Sequence, residues 1–388
     1  MLPKLFELHF SQLLAEWKTS KYNSYSDVRK KEYHDNLAII IQKLELEDFS
    51  SMTGSELSQR FYIINFVFKS LEFLNHSTTS TIPFELVYVL ELALNDWSSS
   101  DQYLIVTSLV NELNGFSFDN TLTSADLLYK VIELLYGVTF KQKLIQINLP
   151  KTISKDYLAN VVLYHELGHF IEKTYVIGRV IYLELLKAMK SGLPPNDERD
   201  VIQYFPYLSD PDLVDELEKN YGPGNIFAMH ICEYFCDLFA SQYIKDCANY
   251  YLEYITLNSV KYSSSHPSTV NRIIFINNHL TGKSGYVINE YKRIIKDITG
   301  REIENRSKDF SSQNFEKLIP FDVTDPQELH GLFIYGWKVW LDDWKNINSA
   351  SGIKFSLSSF NVYEVINNLI EKSIGNFIIT KEWNSIPK

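Results

Sequence analysis

Two histidines four residues apart, with a glutamate beside the first, form the segment of this chain best suited to chemistry. The segment reads His165-Glu166-Leu167-Gly168-His169. Four residues advance an α-helix by about 400° and about 6 Å, so both imidazoles lie on one helix face. One metal ion could bind both rings, while the neighbouring carboxylate acts on a water that the metal activates. The spacing therefore predicts a catalytic zinc site.

This motif needs a helix, and the surrounding sequence predicts one. Residues 157–173 contain no Pro and only one Gly, Gly168. Ser154 is the predicted N-cap, and Asp156 lies in the predicted first turn. The apolar residues before His165 indicate that the helix is buried. The alternative is a chance match, because three fixed positions in five recur by accident.

A catalytic zinc site usually has three protein ligands, so a third ligand is needed. Glu172 shares the helix face of His169, but its reach past that ring makes joint coordination awkward. Glu233 is the stronger candidate, since it lies with Asp237 in the apolar run 231–240, where unpaired carboxylates are unfavourable. Glu233 could bind the metal, and Asp237 could accept a hydrogen bond from a ligand histidine. The alternative is a pair of carboxylates on a solvated face.

A third polar segment, His266-Pro267-Ser268, follows about thirty residues later. Proline favours the first turn of a helix, which we predict to run to about Leu280 and to end at Gly282. The histidine would then lie at the helix entrance. It could stabilise the oxyanion formed when water attacks a carbonyl, and a capping or packing role explains it equally well.

The three segments together resemble the gluzincin metallopeptidases, and within them the family of the HtpX heat-shock protease and the CAAX prenyl protease. That family has HExxH, then a Glu ligand in ExxxD, then HPS with an Arg six positions after its His. This chain has the same order over residues 165–169, 233–237 and 266–272. The resemblance covers about residues 140–285 and implies a zincin-like core with a Zn²⁺ cofactor.

The resemblance also implies a role for each matching residue. It implies His165, His169 and Glu233 as zinc ligands, Glu166 as the catalytic base, Asp237 as a residue that supports the ligands, and His266 with Arg272 as residues that shape the cleft. The chain departs from the family at Cys236, where relatives commonly have Ala. It also lacks their membrane helices, so their substrates are not carried over.

Composition limits the classes of partner. The net charge of −11 and the absence of a basic cluster disfavour nucleic acid. No apolar run reaches the roughly 18 residues of a membrane helix, and the first residues do not resemble a cleaved signal, so we predict a cytoplasmic protein. The three cysteines, Cys232, Cys236 and Cys247, are interpreted as reduced core thiols. A protein or peptide is the expected substrate, and a regulatory partner remains open.

The predicted fold is mainly α, with a small β element beside the active-site helix. We predict an N-terminal helical region (1–138), a zinc metallopeptidase core (139–285) and a C-terminal helical region packed on the core (286–388). The helices predicted before the motif span about 3–18, 27–46, 55–75, 83–97, 101–113 and 124–136. Residues 143–149 alternate as a strand that could pair with an extended peptide or belong to the core, and residues 196–200 read as a polar loop.

The predicted function is zinc-dependent hydrolysis of peptide bonds by a metalloprotease of the HExxH class, with an endopeptidase preferred. Glu166 would take a proton from the activated water and return it to the leaving amine. His266, or a tyrosine such as Tyr262, would support the oxyanion, and His230 could also approach the site. Two alternatives remain: a zinc-stabilised regulatory or interaction protein with little or no turnover, and a helical binding module without metal.

Overall fold

The structure of the chain is a computed structural model. It describes residues 3–78, 84–99, 102–112, 115–119, 121–219, 224–256, 259–283, 285–345, 347, 350–353 and 357–385. The chain forms two compact units, Met1–Lys155 and Asp156–Lys388, called here the N-terminal and C-terminal units. The fold is mainly helical with a three-stranded sheet, which confirms the prediction of a mainly α fold with a small β element. The zincin-like core and the position of the β element beside the active-site helix stay predictions. The boundaries predicted at residues 138 and 285 stay predictions.

Helices account for most of the N-terminal unit. They are α1 (Pro3–Ser20), α2 (Val28–Glu45), α3 (Gly54–Asn75), α4 (Phe84–Asn95) and α5 (Asp126–Tyr136). The segment Thr53-Gly54-Ser55-Glu56 predicts a capping box, and Thr53 and Glu56 form one at the start of α3. Gly137 ends α5 with a φ of 62°, a left-handed conformation that favours glycine. The sequence also predicts that Pro83 opens a helix, but this residue lies outside the described residues.

The helix predicted over residues 101–113 is wrong, because this segment contains strand β1 (Tyr103–Val110). Strand β1 pairs in parallel with β3 (Lys143–Pro150) along its full length. Its centre, Ile105-Val106-Thr107, is β-branched and fully buried. Such residues are stiff in a helix and pack well in a sheet. A short run buried on both faces has no period that separates a strand from a helix.

The strand predicted at residues 143–149 is confirmed as β3, the middle strand of the sheet. The strand order is β1-β3-β2, with the short strand β2 (Ser117–Asp119) antiparallel to β3. Residues 146–148 of β3 therefore have neighbours on both sides. Pairing of a substrate peptide with these residues is excluded, because their main-chain groups face other strands.

The C-terminal unit is built from ten long helices among the described residues. They are α6 (Val162–Tyr175), α7 (Ile177–Ser191), α8 (Pro195–Tyr204), α9 (Pro211–Lys219), α10 (Ile226–Ile244), α11 (Cys247–Thr256), α12 (Thr269–Leu280), α13 (Tyr286–Thr299), α14 (Pro326–Lys338) and α15 (Ser359–Ser385). Helix α10 is buried on nearly every face and packs against α6, α7, α11, α12 and α14. It is the central helix of this unit.

The polar loop predicted at residues 196–200 is wrong, because these residues belong to α8. Pro195 occupies the first turn, where its fixed φ suits a helix and its missing N–H costs nothing. Asp197 and Glu198 then lie at the positive end of the helix dipole. No helix among the described residues is both long and apolar enough to cross a membrane.

Candidate metal centre

The helix that carries the two histidines begins later than predicted. Residues 159–161 form a 3₁₀ turn, and α6 begins at Val162, so Ser154 is not its N-cap. Asp156 instead accepts a hydrogen bond of 2.9 Å from the main-chain N–H of Ala159. His165 consequently lies in the first turn of α6, with His169 one turn later.

Close packing of α6 on α10 brings the histidines to Glu233. The contact depends on Gly168, where an added Cβ would lie 3.0 Å from Cα and 3.2 Å from Cβ of Cys236. Any larger residue would push the two helices apart. Because α10 is apolar on most faces, the carboxylates of Glu233 and Asp237 enter the interior of the unit, where they are 3% and 2% exposed.

The two histidines face the two oxygens of one carboxylate. Nε2 of His165 lies 3.3 Å from Oε2 of Glu233, and Nε2 of His169 lies 3.5 Å from Oε1. Two ligands at zinc distances of about 2.0–2.1 Å in a tetrahedron are about 3.4 Å apart. No described residue donates a hydrogen bond to Glu233 Oε2, although this atom is buried. The donor set therefore fits a Zn²⁺ ion.

Asp237 and Arg272 lie behind this donor set. Oδ1 of Asp237 is 3.1 Å from Nδ1 of His165, which leaves Nε2 of that ring directed at Glu233. Arg272, near the start of α12, donates to both oxygens of Asp237 at 2.9 and 2.7 Å. Its guanidinium also lies 3.3 Å from Glu233 Oε2. One buried cation thus pairs with two buried carboxylates.

Burial and neighbouring charges shift the pKa values of the site in different directions. Burial lowers the pKa of His169 to about 4. Burial also acts to lower the pKa of His165, but the carboxylates of Asp237 and Glu233 outweigh it and raise that pKa to about 9. Burial acts to raise the pKa of Glu233, but the guanidinium of Arg272 holds it well below its ordinary value. The negative charge that favours a proton on His165 equally favours a metal cation.

Glu166 differs from the other carboxylates of the site. It is 7% exposed, and burial raises its pKa to about 7. The carboxyl group can therefore gain or lose a proton near neutral pH, which is the property that a general base needs.

His266 lies at the open side of the site. Its Nε2 is 3.7 Å from Glu233 Oε1, and its side chain is 58% exposed. Helix α12 begins at Thr269 with Ser268 as its N-cap, so Pro267 precedes the helix rather than occupying its first turn. The main-chain N–H of His266 donates to Ser263 Oγ at 2.9 Å, which closes a tight loop around this histidine.

His230 anchors that loop to α10. Its Nε2 is 2.9 Å from the carbonyl oxygen of Ser263, and its Nδ1 is 3.0 Å from the hydroxyl of Tyr207. Burial lowers the pKa of His230 to about 4, so the ring is neutral and donates from Nε2. The sequence indicated only that His230 lies one helical turn before Glu233. Its role in holding the loop comes from a contact 33 residues away along the chain.

One tyrosine that interacts electrostatically with Glu166 is Tyr251 on α11. Burial raises the pKa of its phenol well above the ordinary value, and the Glu166 carboxylate adds to this increase. Tyr262, the tyrosine considered from sequence, has its ring 5.9 Å from that of His230 and is 46% exposed. Tyr251 has no motif around it, so no sequence signal marked it.

Cys236 is a second candidate for the third ligand. Donor atoms of His165, His169 and Cys236 lie within 4.8 Å of one another and could hold a metal ion. The thiol lies 3.2 Å from Nδ1 of His169, the ring nitrogen opposite to the one that faces Glu233. Burial raises the pKa of the thiol well above its ordinary value, which disfavours the thiolate that binds metals. The sequence had assigned this cysteine to packing.

Glu172, the weaker candidate from sequence, is occupied elsewhere. Its carboxylate accepts a hydrogen bond of 3.1 Å from the main-chain N–H of Gly178, in the first turn of α7. This contact satisfies a main-chain donor that the helix cannot satisfy itself. The geometry therefore favours a structural role for Glu172.

Comparison with known proteins adds no relative. No protein family, no curated protein and no solved structure matches this chain. The resemblance to the gluzincin metallopeptidases consequently depends on the three sequence motifs, and family membership stays a prediction.

Proposed function

We propose that this chain is a zinc-dependent peptidase of the gluzincin type that cleaves peptide bonds within a protein or peptide substrate. The proposal depends above all on one observation. Nε2 of His165 and Nε2 of His169 lie 3.3 and 3.5 Å from the two oxygens of the Glu233 carboxylate. These three residues are the proposed zinc ligands, and the order of the three motifs along the chain supports the same reading.

Zinc, when bound, would supply Lewis acidity that polarises a substrate carbonyl and acidifies a water molecule. Glu166 follows the first ligand directly and titrates near neutral pH. It would accept a proton from the attacking water and then return it to the leaving amine. A structural metal site has no need of such a base, which favours a catalytic role.

The remaining polar residues would orient and stabilise the reacting groups. Asp237 holds the ring of His165 by its Nδ1, and Arg272 holds Asp237. His266 is exposed at the edge of the site, within 3.7 Å of Glu233. From there its ring could donate a hydrogen bond to the oxyanion of the tetrahedral intermediate. Both Arg272 and Asp237 would act through the ligands rather than on the substrate.

The competing function is a structural zinc site in a regulatory or interaction protein. The specific observation in its favour is the cluster of His165, His169 and Cys236 donor atoms. Cobalt substitution separates the two ligand sets, because a thiolate bound to Co²⁺ produces charge-transfer absorption in the near ultraviolet and a carboxylate does not. We expect no such absorption, because Glu233 rather than Cys236 completes the proposed site.

Glu166→Gln tests the catalytic proposal. The change is nearly isosteric and leaves His165, His169 and Glu233 in place, so zinc should be retained while peptide hydrolysis falls by at least about 10²-fold. Glu172→Gln is the matched control on the same helix and should retain activity. Hydrolysis by Glu166→Gln at the wild-type rate would refute the role of Glu166.

A further inference from the structure

A cavity of about 660 Å³ opens in the C-terminal unit between α11, α14 and α15. The volume is that of a ligand site rather than of a packing defect. Most of its lining is aromatic and includes Tyr250, Trp337, Trp340 and Tyr363. Aromatic residues at helical spacing usually belong to a core, but Trp337 and Trp340 also line this open cavity.

The aromatic rings form one continuous wall. Ring centroids are 5.4 Å apart between Tyr250 and Trp337, 5.6 Å between Trp337 and Trp340, and 5.0 Å between Trp340 and Tyr363. Neighbouring rings tilted or edge-on at these distances hold one another in place. A wall fixed in this way loses little side-chain entropy when a ligand binds.

The polar atoms of this wall already have partners. The indole N–H of Trp337 donates to the carbonyl of Leu158 at 3.0 Å, and that of Trp340 donates to the carbonyl of Ser359 at 3.1 Å. The hydroxyl of Tyr363 donates to Asp156 at 2.7 Å. The wall consequently offers ring faces to a ligand rather than hydrogen-bond donors.

The charge of the cavity is negative. Its charged lining residues are Asp156 and Glu253, and among the described residues no lysine or arginine lines it. Asp156 already accepts hydrogen bonds from Tyr363 and Ala159, whereas Glu253 is exposed. Ring faces together with a carboxylate attract cations, and a guanidinium stacks well on such rings. An acidic ligand would be repelled.

Two residues of the lining connect the cavity with the elements of the metal centre. Ala159 lies in the turn that leads directly into α6, and Tyr251 lies on α11, which packs against that turn and against α12; both residues line the cavity. The cavity wall also contains a π-helical turn, Val339–Asp343, which carries Trp340 and Leu341. Turns of this kind are rare and occur frequently at functional sites.

We propose that this cavity binds an arginine or lysine side chain of the peptide substrate, with its stem between the aromatic rings and its cationic head toward Glu253. This inference rests on the proposed peptidase function, because it takes the ligand to be part of the substrate. It makes the enzyme selective for peptides that carry a basic residue near the scissile bond.

Peptide binding to the Glu166→Gln protein tests the inference without any need for turnover. The probes are three acetylated, amidated pentapeptides that differ only in a central arginine, leucine or glutamate, with alanine elsewhere. Binding is measured by calorimetry and by quenching of tryptophan fluorescence. We expect the arginine peptide to bind about tenfold more tightly than the leucine peptide, and the glutamate peptide to bind most weakly.

Two substitutions with matched controls locate the binding to the cavity. Glu253→Gln should weaken arginine binding about threefold without affecting the leucine peptide, and Glu364→Gln, an exposed α15 residue outside the lining, should have no effect. Trp340→Phe should weaken both peptides, whereas Trp383→Phe, which is 75% exposed and outside the lining, should not.

The outcomes separate this inference from the proposed function. Equal binding of the arginine and leucine peptides, or no effect of Glu253→Gln, would overturn the basic-residue inference even if the wild-type enzyme cleaves peptides. If arginine-selective binding depends on Glu253 but the wild-type protein hydrolyses no peptide, the cavity would be supported as a binding site and the peptidase function would be rejected. A second series of longer, cleavable peptides with Arg, Leu or Glu at the same position would repeat the comparison as kcat/KM of the wild-type enzyme.

Discussion

Arg272→Met should destabilise the C-terminal unit more than any single change at its surface. Arg272 is 4% exposed and donates to both oxygens of Asp237 at 2.9 and 2.7 Å. Its guanidinium is also 3.3 Å from Glu233. Removing one partner of a buried ion pair leaves the other charge without compensation, and here two carboxylates lose their cation. We expect the free energy of unfolding to fall by about 3–5 kcal/mol.

The pH dependence of this loss has a definite sign. The pKa of Asp237 is lowered in the folded protein, where burial acts to raise it and the guanidinium of Arg272 more than offsets burial. A lowered carboxyl pKa adds stability above the ordinary value of about 3.9, and this stability disappears as pH falls through the lowered pKa. The cost of Arg272→Met should therefore be full at pH 7 and decrease in acid.

The assay is urea unfolding of metal-free protein, followed by tryptophan fluorescence, to which four of the chain's six tryptophans contribute from this unit. Using metal-free protein prevents zinc loss from adding to the effect. Arg293→Met is the control, because Arg293 is 49% exposed and pairs with Glu290 at the surface, where a loss below about 1 kcal/mol is expected. An Arg272→Met cost as small as that of the control would refute the argument.

Two further predictions concern packing and protonation. Gly168→Ala should lower the free energy of unfolding by about 1–3 kcal/mol and weaken zinc binding, because the added Cβ would lie 3.0 Å from the main chain of α10. The control is Gly54→Ala, which should leave the free energy of unfolding unchanged because no atom lies within 4 Å of its Cβ. Urea unfolding and a zinc competition assay measure both effects, and unchanged values for Gly168→Ala would contradict the packing argument. His330 should destabilise the folded protein in acid. Burial lowers its pKa to about 3 in the folded protein, whereas in the unfolded chain the ring binds a proton as pH falls below about 6.5, which favours the unfolded state. His330→Phe should remove about 2 kcal/mol of the loss in stability between pH 7 and pH 5, and an identical pH slope in both proteins would contradict this origin.

The sequence predicted those parts of the site that depend on local spacing. The four-residue separation of His165 and His169 required a helix, and the pair of Glu233 and Asp237 in an apolar run required partners inside the fold. The structure places these four residues on α6 and α10, with Asp237 beside a histidine ring. The capping box of Thr53 and Glu56 was predictable for the same reason, because it involves residues only three apart.

Features that depend on tertiary packing were not predictable in this way. Strand β1 was taken for a helix because burial on both faces removes the alternation that identifies a strand. The hydrogen bond between His230 and Ser263 and the electrostatic interaction of Tyr251 with Glu166 join segments that no motif connects. The cavity beside Trp337 and Trp340 was not predictable either, since aromatic residues at helical spacing rarely reveal from sequence which side of the ring stays accessible.

Metal content of the purified protein tests the central claim most directly. Elemental mass spectrometry would be applied to the wild type and to His169→Ala, Glu233→Ala and Cys236→Ala, with circular dichroism to show that each variant is folded. Our account predicts about one zinc per chain in the wild type and in Cys236→Ala, and its loss in His169→Ala and Glu233→Ala. Zinc that is retained without Glu233 but lost without Cys236 would contradict the proposed ligand set, and a wild type that cannot be loaded with zinc would contradict the proposed function as a whole.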